Sequence, residues 1–263
     1  MTAYYNEIDK YAAQWLRNLI AAGHIAPGDV DERSIEEVTA DDIKGYTQCH
    51  FFAGIAGWSL ALRFAGWPDD REVWTGSCPC QPFSVAGKQG GADDERHLWP
   101  AFQRLIAQQK PATVFGEQVA SSDGRTWFAA VRLDLETLGY ACGAADLCAA
   151  GVGAPHIRQR LWWVADSPRA PQSRQRPKSV YLPRQTVDWG RGTFHITKGG
   201  TFRQVPLEPS LFPLAYGLSG DLVRALPVPS RKVALKGAGN AIVPQVAAEF
   251  IGAYMEVTKP FDR

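Results

Sequence analysis

Gln48-Cys-His-Phe-Phe-Ala-Gly-Ile-Ala-Gly-Trp58 reads as a short apolar strand, Gln48 to Phe52, that runs into Gly54 and Gly57 and then into a helix from Trp58. A strand, a glycine turn and a helix in direct succession are the repeating unit of an α/β protein. The same alternation extends outward on both sides. Upstream, Tyr11, Leu16, Trp15, Leu19 and Ile20 recur at helical spacing, so Lys10 to Ala22 is predicted as an amphipathic helix ended near Gly23, with a short strand, Ala3 to Glu7, before it. Downstream, Thr113 to Phe115 is a buried strand between helices marked by Phe102, Leu105 and Ile106 and by Trp127, Val131 and Leu138. Leu161 to Ala165 is one more strand. Such alternation predicts an α/β fold with a mainly parallel, Rossmann-like sheet, helices on both faces, and chemistry in the loops at the carboxyl ends of the strands.

From Asp166 to about Arg231 the alternation stops, and Pro, Gly, Ser, Gln and Arg dominate. The expected division is a catalytic and cofactor-binding domain over 1–166, a small irregular lobe over 167–230 and a return to the first domain over 231–263. In the return, Gly237 to Asn240 leads into a helix with Pro244 in its first turn and Val246, Phe250 and Tyr254 on its apolar face. The formal net charge of +1 hides an uneven distribution: Ser167 to Gln204 carries eight Arg or Lys against the single acid Asp188. A basic stretch of that kind suits contact with a phosphate backbone, or is simply a solvated loop.

Composition narrows the class further. With 45% apolar and 21% charged residues the chain is an ordinary globular protein. Its N-terminus is polar and lacks the apolar run of a secretory signal, and nothing spans a membrane, so a cytoplasmic location is expected. Five cysteines, without paired metal-ligand spacing, suggest neither a disulfide framework nor a zinc site. One of them, Cys80, follows a proline in Gly76-Ser-Cys-Pro-Cys-Gln-Pro-Phe-Ser84, at a strand end and ahead of the glycine-rich run Val85 to Ala92. A cysteine becomes a nucleophile only when a neighbour lowers its pKa or takes its proton, and most cysteines are inert core residues. The candidate helpers are Glu117, in Phe-Gly-Glu-Gln-Val119, and Arg158 and Arg160, in Pro-His-Ile-Arg-Gln-Arg160. Together these groups suit addition of a thiolate to a polar heteroaromatic ring, although Glu117 read alone could be a helix cap and the arginines a surface ion-pair set.

These segments, taken in order, resemble the C5-cytosine DNA methyltransferase family over nearly the whole chain. Pro79-Cys80-Gln81 is similar to its nucleophile motif, Glu117 to the glutamate of its Glu-Asn-Val motif, and His156, Arg158 and Arg160 to its Gln-x-Arg-x-Arg motif. Gly239, Asn240 and Pro244 match its Gly-Asn-x-x-x-Pro motif, and Phe52-Ala-Gly54-Ile-Ala56-Gly57 its cofactor loop. The family's ribose and adenine motifs usually lie between that loop and the nucleophile, but here only 22 residues separate Gly57 from Cys80. Their counterparts stand upstream, as Asn6-Glu7-Ile8-Asp9-Lys10-Tyr11-Ala12 and Gly28-Asp29-Val30, so the chain resembles a permuted member.

The resemblance implies a DNA cytosine-5 methyltransferase that uses S-adenosyl-L-methionine and flips its target base out of double-stranded DNA. Cys80 would be the nucleophile, Glu117 the proton carrier and Arg160, supported by Arg158, the partner of the base and of Glu117. Glu7 would bind the ribose, Ile8 and Val30 would sandwich the adenine, Asp29 would accept from its amino group, and Phe52, Gly54, Gly57 and Asn240 would complete the cofactor site. The 167–230 lobe would read sequence, with Gln172, Gln175 or Gln185 as candidate base contacts, and Ser84 to Leu98 would close over DNA. A cognate restriction nuclease is a conceivable partner. An RNA substrate, another C5 donor, or a non-catalytic DNA-binding relative stay open as alternatives. Three departures from the family pattern stand out: Ala56 for a glycine, Gln118 for an asparagine and His156 for a glutamine. An alanine at position 56 is penalised if that position needs φ > 0.

Overall fold

The computed structural model describes residues 3–79, 98–154, 156–168, 192–196, 202–206 and 240–258. Its centre is a seven-stranded sheet. In chain order the elements are β1 (Ala3–Asn6), α1 (Lys10–Ala21), β2 (Gly28–Asp31), β3 (Gln48–Phe51), α2 (Gly57–Phe64), β4 (Val73–Gly76), α3 (Trp99–Gln109), β5 (Thr113–Val119), α4 (Ser122–Thr137), β6 (Ala141–Cys148) and β7 (Gln159–Asp166), the last two joined through a 3₁₀ turn, Ala149–Val152. A separate two-stranded antiparallel ribbon, β8 (Gly192–Ile196) and β9 (Phe202–Pro206), precedes the helix α5 (Pro244–Thr258).

The strands lie in the order β2-β1-β3-β4-β5-β7-β6. All neighbours through β5 are parallel, while β7 runs antiparallel to both β5 and β6. The central strands β1, β3 and β4 are buried at every residue, as expected of strands covered on both faces. Alternate side chains therefore feed two cores. On one face Tyr4, Cys49, Phe51, Trp74, Val114 and Trp163 pack against Trp99, Phe102 and Leu105 of α3, Trp127 and Val131 of α4, and Ile35 and Val38 of the β2–β3 crossover. On the other, Ala3 and Tyr5 pack under Trp15, Leu16 and Leu19 of α1. Val73, Phe115 and Trp162 lie beneath α2 and α5 on that same side.

Polar residues inside these strands are satisfied locally. His50, 1% exposed, shares a hydrogen bond through Nδ1 with Thr75 Oγ1 at 2.8 Å and through Nε2 with Gln48 Oε1 at 3.3 Å, and its ring stacks on Tyr5. Burial pushes its pKa down to about 3, so it is neutral in the folded protein.

The segment leading into helix α5 packs closely on the start of α2 because Gly57 offers no side chain: a Cβ there would come within 2.6 Å of Ile242 Cγ1. Gly116 is a second such contact, in β5 immediately before Glu117. A Cβ at that position would come within 2.1 Å of the indole of Trp163, which is fully buried. Among the described residues no disulfide links the cysteines, no cluster of three metal-ligating side chains exists, and no helix is long and apolar enough to cross a membrane.

Candidate active site

A cleft of about 470 Å³ opens along the carboxyl ends of β1, β3, β4 and β5, a size suited to a small organic ligand. It is walled by the segments that leave those strands: Asn6 to Asp9 after β1, Phe52 to Ile55 after β3, Ser77 to Pro79 after β4 and Glu117 to Val119 on β5. Arg158, Arg160, Asn240, Leu98, Arg33 to Ile35, and Tyr11 and Ala12 of α1 also line it.

One end is organised by Glu7. Its Oε2 accepts from the backbone N–H of Gly54 at 2.7 Å and its Oε1 from that of Asp9 at 2.9 Å, which fixes the carboxylate between the glycine turn and the start of α1. Asp9 caps that helix by accepting from Tyr11 and Ala12. Beside them Ile8 is 66% exposed, an apolar surface offered to the cleft. The glycine turn holds three departures from ordinary backbone at alternate positions: Phe52 at φ 52°, Gly54 at φ 54° and Ala56 at φ 67°. A Cβ on Gly54 would meet nothing within 4 Å, so its backbone faces open space. Position 56 does take the left-handed conformation, with alanine in it, at a cost of about 1 kcal/mol.

The other end is organised by Glu117. Its side chain is 12% exposed, and Oε1 pairs with Arg160 Nε at 2.8 Å. Loss of solvation raises its pKa above the usual carboxyl value, and Arg160 and Arg158 oppose the rise without cancelling it. Arg160 is the second residue of β7 and stands opposite Val119 because β7 runs antiparallel to β5. The reversal brings an arginine from the amino end of one strand to the carboxyl end of its neighbour. Arg158, at φ 34°, donates from Nη2 to the carbonyl of Ala241 at 2.6 Å, and burial together with Arg160 lowers its pKa.

Cys80 lies outside the described residues; the chain that leads to it does not. Ser77 Oγ accepts from Trp58 Nε1 at 3.0 Å, the carbonyl of Cys78 accepts from Gln118 Nε2 at 3.2 Å, and Pro79 lines the cleft. Gln118, one of the three departures from the family pattern, thus supports the approach to the cysteine. The Ser84 to Leu98 loop, apart from Leu98, and Gln172, Gln175 and Gln185 are also outside the described residues.

The structure therefore brings Glu7, Ile8, Phe52, Gly54, Asn240, Glu117, Arg158 and Arg160 into one cleft. It does not bring Asp29, Val30 or Gly57 there. Asp29 accepts from Tyr46 Oη at 2.7 Å, and with Val30 it lines a second, open depression that shares only Arg33 with the cleft. The physical reason is register: Asp29 and Val30 pair with Tyr4 and Tyr5 in the body of the sheet, and only the chain beyond Asp31 reaches the carboxyl edge. Gly57 is a packing glycine under Ile242. Asn6, Ser34, Ile35 and Gln118 are cleft residues not singled out as site residues from the sequence, since their side chains announce no chemistry.

The arrangement also has relatives. A family model described as C-5 cytosine-specific DNA methylase matches residues 2–186. Type II methyltransferase M.HhaI of Haemophilus parahaemolyticus is 33% identical over 99 residues, 36% of this chain and 30% of that protein. Type II methyltransferase M.NaeI of Lentzea aerocolonigenes is 39% identical over 98 residues, 36% of this chain and 24% of the relative. The match thus spans less than a third of either relative's length. Among solved structures, a Spodoptera frugiperda DNMT2 variant superposes with a TM-score of 0.53 at 16% identity, covering 95% of this chain and 91% of that one. Entamoeba histolytica methyltransferase EhMeth gives 0.54 at 13% identity, covering 99% of each. These likenesses are in fold, whereas the family match runs through the strands, the glycine turn and the Glu117 and Arg160 segments of the cleft: the chain belongs to the C-5 cytosine-specific DNA methylases.

Proposed function

We propose that the protein transfers a methyl group from S-adenosyl-L-methionine to carbon 5 of cytosine in double-stranded DNA, with Cys80 as nucleophile. The observation that carries the reading is Glu117: a carboxyl group with a raised pKa, held by Arg160 at 2.8 Å, in the same cleft as the fixed carboxylate of Glu7. The Glu7 end fits the cofactor. Its carboxylate suits ribose hydroxyls, Ile8 offers a platform for the base, the Gly54 backbone is open to close approach, and Phe52 and Asn240 border the remaining length. S-adenosyl-L-methionine when bound supplies an electrophilic methyl group.

The protein's own residues do the rest. The target cytosine leaves the duplex, at a cost of about a few kcal/mol that contacts to the base and strand offset. The Cys80 thiolate adds to carbon 6 while Glu117 gives its proton toward N3, so the charge that would build on the ring is neutralised and carbon 5 becomes nucleophilic. Arg160 orients Glu117 and faces the base oxygen, and Arg158 anchors the site to the Ala241 segment. Once carbon 5 carries the methyl group, loss of its proton expels the Cys80 thiolate.

On this reading the ribose and base side of the cofactor site precedes the glycine loop in the chain, a permuted order that fits a sheet in which β1 lies beside β3 and β2 beyond it at the edge. The 167–230 segment serves target recognition through its arginines and glutamines. A cytoplasmic setting and a cognate restriction nuclease belong to the same proposal.

The test is incubation of cytosine-containing duplex DNA and, in parallel, of RNA with tritiated S-adenosyl-L-methionine, comparing the protein with Cys80→Ser. Label in 5-methylcytosine that disappears in the variant is the expected result. Label confined to RNA would replace the substrate class, and absence of both label and cofactor binding would overturn the reading.

A further inference from the structure

Three chain segments meet at the Glu7 end of the cleft, and one residue joins them through its side chain and its backbone carbonyl. Asn6, the last residue of β1, is 3% exposed and still lines the cleft. Its Nδ2 donates to the carbonyl of Arg33 at 2.9 Å and, at 3.4 Å, to that of Asp31, and its own carbonyl accepts from Ala53 at 3.0 Å. The exit of β2 is thereby tied to the exit of β1, and the exit of β1 to the glycine turn after β3. No residue of β2 itself pairs with β3, because β1 stands between them.

The segment that Asn6 holds is the turn Arg33 to Ile35, which enters the cleft where Asp29 and Val30 do not. It is fixed from two further directions. The guanidinium of Arg33 pairs with Asp31 at 2.6 Å and Asp42 at 3.1 Å. From α3, Arg104 Nη2 reaches the carbonyls of Val38 at 2.8 Å and Glu36 at 3.2 Å. This amount of anchoring on a surface turn is more than a passive connection between strands needs, and it converges on a stretch that borders the same cleft as Glu7 and Ile8.

We infer that the Arg33–Ile35 turn is the nucleobase-side wall of the cofactor cleft, and that Asn6 is the positioning residue that sets its distance from Glu7 and the Gly54 turn. The inference rests on the cofactor reading given above. Neither replacement keeps the donor to the Arg33 carbonyl: alanine removes it, leaving the Asp31 carbonyl held by the Glu7 N–H at 2.9 Å, and aspartate turns an acceptor toward it.

The experiment is calorimetric titration of S-adenosylhomocysteine into the wild-type protein, Asn6→Asp, Asn6→Ala and Arg104→Met, each with a thermal melt, followed by kinetics at saturating cofactor. Arg104 is an exposed residue outside the cleft and acts on the turn from behind, so its variant separates wall position from folding. The expected result is Kd raised about tenfold or more for the Asn6 variants and about threefold for Arg104→Met, with kcat at saturating cofactor within about twofold of wild type. Unchanged Kd in folded variants, or a kcat loss with unchanged Kd, overturns the inference. No binding by the wild-type protein overturns the cofactor reading instead.

Discussion

Two glutamates sit in one cleft and are built in opposite ways. Glu7 follows β1 and accepts from two backbone N–H groups, a setting in which its oxygens serve as acceptors. Glu117 sits within β5, withdrawn from water, and its pKa is raised although two arginines stand near it. The difference shows that residue type does not assign a role here. Two backbone N–H donors suit Glu7 to the binding role proposed for it, whereas desolvation raises the pKa of Glu117, as the proposed proton carrier requires.

The sharpest way to break that contrast is to exchange carboxyl for amide at each position. Glu117→Gln removes the titrating proton and should lower the transfer rate by about a hundredfold or more while leaving S-adenosylhomocysteine affinity nearly unchanged. In the wild-type protein, activity that needs protonated Glu117 falls as pH rises past its raised pKa, and a pH–rate profile of the variant should lose that limb. Glu7→Gln should do the reverse, weakening cofactor binding about tenfold or more with a smaller effect on the rate at saturation. Equal effects of the two changes on both quantities would erase the distinction.

A second test asks whether Glu117 owes its setting to the packing beneath it. Gly116→Ala forces a methyl group into the indole of Trp163 and should cost about 3 kcal/mol in urea unfolding, with activity lost in parallel. A smaller effect comes from His50, whose folded pKa of about 3 lies below its usual 6.5. The unfolded chain therefore takes up a proton as pH falls below about 6.5 while the folded protein does not. Stability should drop toward pH 4 by up to about 1.4 kcal/mol per pH unit from this group. His50→Gln should flatten that slope, measured by denaturation at pH 7 and pH 5.

Much of this could be read from the chain, for identifiable reasons. The strand at Gln48, the helix at Lys10 and the strand at Thr113 are marked by apolar side chains, and the structure moves their ends by at most a few residues. The largest extension, from Phe115 to Val119, arises where β5 pairs with the antiparallel β7. The strands β2 and β6 left no such signal. They are the two edges of the sheet, and Gly28-Asp-Val-Asp31 and Ala141-Cys-Gly-Ala-Ala-Asp-Leu-Cys148 carry small or polar residues where an inner strand would carry large apolar ones. The same blindness explains Asp29 and Val30: a motif match gives residue types, but only the register with β1 tells which of them reach the carboxyl edge. Groups that bear charge, such as Glu7, Glu117 and Arg160, were legible; the amide of Asn6, which acts on carbonyls, was not.

The cleft is also assembled from parts of the chain made at different times. Its Glu7 end closes with residues from the first 57 positions, through Asn6, Arg33 and Gly54. Its Glu117 end waits for Arg158 to meet the carbonyl of Ala241, a contact that spans 83 residues of sequence. On a growing polypeptide the contacts of the Glu7 end can form early, because loop closure over short separations is fast, while the Arg158 anchor is among the last to be made. A nascent chain stalled before Ala241 would therefore hold the elements of one half of the site and lack the anchor of the other.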